Sequence, residues 1–198
     1  MKPPLASVVF LIIGLVLFGL GEAMLVTAGV GVSPWTVFAE GMTNVTGWSL
    51  GFATFVISVS VLVLWIPLKQ TPGMGTILNV IIIALVLEHA LPLLPRFETY
   101  VANSVLALAG VLVTGFGGAI YLIANLGPGP RDGLMTGLQA VTHRPIALVR
   151  TLLELTVIAI GCVLGGTLGL GTVFFALGIG PAMAIGMHIL QLRSTGEA

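Results

Sequence analysis

Charge is what this chain has least of. Lys, Arg, Asp and Glu together make up 7% of its 198 residues, against about 25% in ordinary soluble domains. A surface so poor in ions cannot be kept in water. The seven basic and seven acidic residues cancel to a formal net charge of zero, which leaves no basic face for nucleic acid and excludes that partner. Cysteine is as scarce: Cys162 stands alone in an apolar stretch, so there is neither a disulfide framework nor a thiol pair, and its expected role is packing. His89, His143 and His188 show no ligand spacing with Cys or carboxylates, and no metal site is expected. A nucleophile elbow, a phosphate-binding loop and a dinucleotide fingerprint are all missing. With no base, nucleophile and orienter in view together, neither catalysis nor a cofactor is expected.

In place of these the chain has long apolar runs. Its composition is 57% apolar and its mean hydropathy is +1.16, which puts it in a lipid bilayer. About 20 apolar residues cross the hydrocarbon core as helix. Spans are therefore expected near residues 6–29, 49–68, 75–94, 100–125, 146–164 and 172–192. Lys2 ahead of the first apolar run resembles the start of a signal peptide, but no small-residue cleavage site and polar mature segment follow it. That run is read as an uncleaved first span.

The chain is also written twice. Residues 115–172 repeat residues 19–76 without a gap, because Gly115 lies 115 − 19 = 96 positions after Gly19 and the same shift carries the rest. Gly21 falls on Gly117, Gly31 on Gly127, Pro34 on Pro130, Gly41 on Gly137, Gly73 on Gly169, Gly75 on Gly171 and Thr76 on Thr172. Matches of this kind mark shared bends and close approaches, which interchangeable aliphatics would not. Three spans per copy is an odd number, so the second copy enters the membrane from the other side. The expected architecture is an all-α membrane protein of six transmembrane helices, as two inverted three-helix repeats with short Gly/Pro-initiated half-helices. It forms a single transmembrane domain over residues 1–198, with repeat one at about 5–95 and repeat two at about 101–192. With both termini in the cytoplasm, Lys2, Lys69, Arg131, Arg144, Arg150 and Arg193 fall inside and only Arg96 outside, as the positive-inside rule requires. Trp35 and Trp48 would then mark the outer interface and Trp65 the inner one.

Two stretches stand out for binding. Gly29 to Thr36 and Gly127 to Met135 are Gly/Pro breaks that each open a short half-helix. Pro34 and Pro130 suit a first helical turn, and the free N–H groups of such a terminus carry partial positive charge. Arg131 adds a full charge in the second copy, so Gly127, Gly129 and Arg131 point to an anionic guest, with Asp132 alternatively there to balance Arg131. The strings at residues 70–76 and 166–172 read as tight hairpins capped by Thr76 and Thr172. Among intramembrane charges, Arg150 and Glu154 share a helix face at i, i+4 and serve either as a structural pair or as substrate ligands. Glu22 has no basic residue within a turn and is the proton-coupling candidate. The copies differ where charge sits: Glu22 becomes Gly118, Trp35 and Thr36 become Arg131 and Asp132, Thr54 becomes Arg150, and Ser58 becomes Glu154.

The string Gly127 to Met135, then Arg150 and Thr151 with Glu154, then Gly165, Gly166, Thr167, Gly169, Gly171 and Thr172 resembles the bacterial YczE-like integral membrane family. Gly31, Ser33, Pro34, Trp35, Trp65, Pro72, Gly73, Gly75 and Thr76 resemble that family's first half, and a looser similarity runs to YitT-like membrane proteins. The resemblance implies a small multi-pass protein of the bacterial inner membrane, with links to regulation or export of secondary metabolites but no settled activity. It also implies that Arg131, Asp132, Arg150 and Glu154 belong to the family pattern. The expected function is a small transporter or carrier of a polar or anionic small molecule, acting alone or paired as a homodimer within the lipid bilayer. The alternatives are a regulatory or assembly membrane subunit without substrate and a lipid-handling membrane protein, for which Arg131 and Arg144 would meet lipid phosphates.

Overall fold

A computed structural model describes the backbone of residues 4–195 and the side chains up to residue 190; Lys2 and Arg193 of the orientation argument lie outside those described side chains. Among the described residues there is helix and no strand. The helices are α1 (Leu5–Ala28), α2 (Pro34–Thr46), α3 (Leu50–Trp65), α4 (Met74–Ala90, continued by a 3-10 turn Leu91–Leu93), α5 (Tyr100–Ile123), α6 (Pro130–Thr142), α7 (Ile146–Val163) and α8 (Leu170–Thr195). Local chemistry sets these limits. Pro34 and Pro130 occupy the first turns of α2 and α6 as expected, since neither position needs an N–H partner. The hydroxyls of Ser49 and Thr99 accept from the backbone N–H groups of Phe52 and Ala102, each at 3.3 Å, and cap α3 and α5.

This is a multi-pass membrane protein. Five helices, α1, α4, α5, α7 and α8, are long and apolar enough to cross a bilayer. The expected second span falls short: α3 has 16 residues, about 24 Å of helix, against a hydrocarbon core of about 30 Å. It qualifies only together with α2, from which it bends by 114°, so the spans number five, or six if that bent pair counts as one.

The duplication is visible in the backbone. Every described residue with positive φ has a counterpart 96 positions away: Gly29 and Asn125, Gly31 and Gly127, Gly47 and His143, Lys69 and Gly165. The helices sort into two groups that cut across the copies. One is a panel in the order α4, α1, α5, α8; the other is a bundle in which α2 packs on α3 and α7, and α6 packs on α3 and α7; α3 joins the two by packing on α4. In the panel, Gly14 meets Gly117 and Tyr121 while Gly21 meets Gly110 and Thr114, so α1 and α5 run antiparallel, backbone against backbone. In the bundle, each half-helix leans on the other copy, α2 on α7 through Gly41 and Gly161 and α6 on α3 through Gly133 and Trp65.

The Gly-rich strings before α4 and α8 do more than turn the chain. The Gly75 N–H donates to the Leu126 carbonyl at 2.7 Å and the Gly171 N–H to the Val30 carbonyl at 2.8 Å. Each therefore clasps the break ahead of the other copy's half-helix. Glycine is required there because a Cβ on Gly75 or Gly171 would meet the backbone of Gly127 or Gly31. Two tryptophans also differ from expectation. Trp65 is 2% exposed and its indole N–H donates to the Pro130 carbonyl at 3.0 Å, so it is a core ring under α6 and not an interface marker. Trp35 is buried as well, at 6%; Trp48 alone remains partly exposed, stacked edge-on against Phe52.

Candidate functional site

Panel and bundle enclose a cavity of about 150 Å³ at their junction. It is lined by pairs of repeat-equivalent residues, among them Trp35 with Arg131, Thr54 with Arg150, Ser58 with Glu154, and Ile83 with Ile179. Trp35 and Arg131 actually touch: the guanidinium carbon lies 5.2 Å from the centre of the indole ring, a cation–π arrangement. The cavity is thus where equivalent positions of the two copies meet.

The charged residues are brought together here, each in a different state. Glu22 is 1% exposed; its Oε2 accepts from the hydroxyls of Ser33 at 2.7 Å and Thr36 at 2.6 Å, while its Oε1 is buried without a partner. It meets the first turn of α2 by hydroxyl bonds. Asp132 accepts from the Tyr121 hydroxyl at 2.7 Å and does not pair with Arg131. The Arg150 Nε donates to Glu154 Oε1 at 2.8 Å, with side-chain exposures of 48% and 22%. That is the one ion pair among the described residues, which leaves the Arg131 guanidinium with no carboxylate bonded to it.

Two further polar atoms on the cavity wall lack partners, the indole Nε1 of Trp35 and the Oγ1 of Thr54. Their residues are 6% and 4% exposed, and a donor left unpaired at such depth costs about 1–3 kcal/mol. The glycines of the second break divide. Gly129 lies on the wall, where a Cβ would stand 3.3 Å from Asp132 Oδ2 and 3.4 Å from the Tyr121 hydroxyl. Gly127 lies outside the cavity, at φ +117° against Gly73 and Thr76, and is part of the clasp. Elsewhere Glu88, His89 and His188 are exposed, and no group of three metal-ligating side chains occurs among the described residues.

The helix pairs flanking the cavity differ: α3 packs closely on α4, whereas α7 and α8 make no comparable contact. Gly51 of α3 packs against the Ala84 carbonyl of α4, where a Cβ would have 2.6 Å. At the equivalent place on α7 and α8, Ala147 is exposed and Gly180 has nothing within 4 Å of a Cβ. Arg150 and Glu154 stand on α7, on this loosely packed side, whereas Thr54 and Ser58 on α3 are buried.

Comparison with known proteins places the chain. A family model described as a family of unknown function, DUF6198, matches residues 5–188. The chain belongs to this family. Among curated relatives of this DUF6198 member, an "Uncharacterized protein" of Haemophilus influenzae is 40% identical over 93% of the chain and 84% of the relative. The "Uncharacterized membrane protein YczE" of Bacillus subtilis is 29% identical over 85% and 79%, so the YczE-like resemblance holds. The "Uncharacterized protein YyaS" of the same organism is 25% identical over 90% and 91%. No solved structure matches.

Sequence reasoning named Glu22, Gly129, Arg131, Asp132, Arg150 and Glu154, all of which meet at or beside the cavity. It missed Trp35, Thr54, Asn79 and Tyr121 as wall residues. The repeat register held the signal for two of them, since Trp35 and Thr54 are the positions that Arg131 and Arg150 replace.

Proposed function

We propose that the protein is a carrier of small anions in the bacterial inner membrane, with its two copies inverted and both termini cytoplasmic. One observation carries the reading: Arg131 lies half-buried over Trp35 in a cavity between two helix groups, and no carboxylate among the described residues pairs with it. A guanidinium offers five N–H donors and is costly to hold in a membrane interior without a partner. An anionic guest would satisfy it together with Trp35 Nε1 and Thr54. Inversion is supported by the antiparallel contact of α1 and α5. Broken elements meeting at such an interface are where carriers hold substrate.

Because each half-helix leans on the other copy, the moving parts are panel and bundle, not repeat one and repeat two. Coupling follows from the charges around the guest. Arg131 and Arg150 face three carboxylates, Glu22, Asp132 and Glu154, so an incoming anion adds to an excess of negative charge unless a proton comes with it. Glu22 is the acceptor for that proton, since its Oε1 is buried and without a partner, whereas Asp132 and Glu154 bond to Tyr121 and Arg150.

The test is uptake into proteoliposomes over a panel of anions under a pH gradient. Arg131→Gln is expected to lower uptake at least about tenfold, the loss of one charge-assisted contact, with the unfolding midpoint in detergent little changed. Glu22→Gln is expected to keep binding and lose the response to the gradient. A folded protein that neither binds nor moves any anion of the panel overturns the proposal and favours a subunit without substrate.

A further inference from the structure

Resting on the reading of the cavity as an anion site, we infer that its guest is a small amphiphilic monocarboxylate: one carboxylate at Arg131 and Trp35, carrying an apolar body no larger than about one aromatic ring. The two walls differ in chemistry. The bundle contributes Trp35 Nε1, Thr54, Ser58, Arg131 and the Arg150–Glu154 pair, with Pro130 and Met135 as its apolar exceptions, whereas the panel contributes Phe18, Ile83, Phe175, Ile179 and Met183, with Asn79 and Tyr121 as its polar exceptions. The Tyr121 hydroxyl is already given to Asp132.

An inorganic oxyanion filling this space would turn some of its oxygens toward Phe175 and Ile179, where nothing donates, and desolvated oxygens without donors oppose binding. A carboxylate with an apolar body sets each end on its matching wall. Charge points the same way. Of the two cations on the cavity wall, Arg131 is the one without a carboxylate partner, and Glu22, Asp132 and Glu154 all act on this region, so a second negative charge on the guest would be repelled. Size sets the upper limit. The cavity is about 150 Å³, the volume at which an apolar cavity in a protein holds benzene. The gap between α7 and α8 at Ala147 and Gly180 gives such a molecule a way in from the side, past Arg150 and Glu154.

The test is equilibrium binding of radiolabelled benzoate to the full chain in nanodiscs, competed by acetate, butyrate, hexanoate, phosphate, sulfate and oleate. Affinity is expected to rise from acetate to hexanoate by about fourfold for each buried methylene. Phosphate and sulfate should bind at least about tenfold more weakly than benzoate, and oleate no better than hexanoate. Ile179→Trp fills the apolar wall and leaves Arg131 in place, so it should abolish benzoate binding and keep acetate binding; Ile83→Phe is the milder variant with the same expectation if the first does not fold. Phosphate or sulfate binding more tightly than benzoate, or no gain along the chain-length series, overturns the monocarboxylate while the anion site stands. Oleate far above hexanoate overturns it in favour of a lipid tail. No anion bound at all overturns both the guest and the carrier.

Discussion

The starts of α2 and α6 are equivalent, and each is tied to its long neighbouring helix by a hydrogen bond with the acid on opposite sides. In the first copy α1 supplies the carboxylate, Glu22, and α2 the hydroxyls of Ser33 and Thr36. In the second, α6 supplies the carboxylate, Asp132, at the position of Thr36, and α5 the hydroxyl of Tyr121. The scaffold needs a short bond at this joint, and either polarity makes it. What the exchange changes is where charge is left over: Glu22 keeps an unpartnered oxygen deep in the protein, while Arg131 stays unpaired beside Asp132. A second contrast separates α3 and α4, closed at Gly51, from α7 and α8, open at Gly180. Duplication supplied one frame twice, and divergence left it tightly packed in one half and loosely packed in the other.

Substitutions at equivalent positions can break these contrasts. The largest effect is expected at Gly41 against Gly137. A Cβ on Gly41 lies 2.7 Å from the Gly161 carbonyl, which is backbone, whereas one on Gly137 lies 3.0 Å from the Gln70 side chain, which can move. Gly41→Val should cost about 3 kcal/mol or more and Gly137→Val about 1 kcal/mol, read from unfolding in detergent; equal losses would mean that the two half-helices are seated alike. Next comes a contrast of sign. Gly51→Ala should destabilise by about 1–3 kcal/mol through its clash with Ala84, and Gly180→Ala should be neutral or stabilise by up to about 1 kcal/mol, as helix propensity allows where there is room. If Gly180→Ala destabilises as Gly51→Ala does, α7 and α8 are closed in the membrane. The smallest difference lies between Thr76 and Thr172. Thr76 donates to the Pro128 carbonyl at 2.7 Å, whereas Thr172 only accepts from Gly169 at 3.4 Å. Thr76→Val is expected to cost about 1 kcal/mol and Thr172→Val less than half of that.

Much of the frame was legible because it is local. Pro34 and Pro130 announce first turns on their own, apolar runs announce spans, and the i, i+4 spacing of Arg150 and Glu154 makes an ion pair without help from elsewhere. The second span was overread because hydropathy continues past Trp65 to Leu68, while the helix ends there and the backbone turns over to Lys69 at φ 53°. Trp65 and Trp35 were placed at interfaces because an indole at the end of an apolar run commonly belongs there. Neither Pro130, 65 positions from Trp65, nor Arg131 can be seen from within those runs. The strings at Gly73 and Gly169 read as hairpins for the same reason: the backbone each one clasps lies in the other copy.

By itself the sequence determined that this is a duplicated, helical membrane protein, where its helices begin, and which copy carries the charge, since composition, periodicity and a 96-residue register need no folded context. Only the tertiary structure decided that the half-helices cross over to the other copy, that Glu22 is taken by Ser33 and Thr36 and Asp132 by Tyr121, and that Arg131 remains unpaired over Trp35. Pairing among these charges depends on which of several donors stands within 3 Å. That is a property of helices packed together, which no single helix encodes.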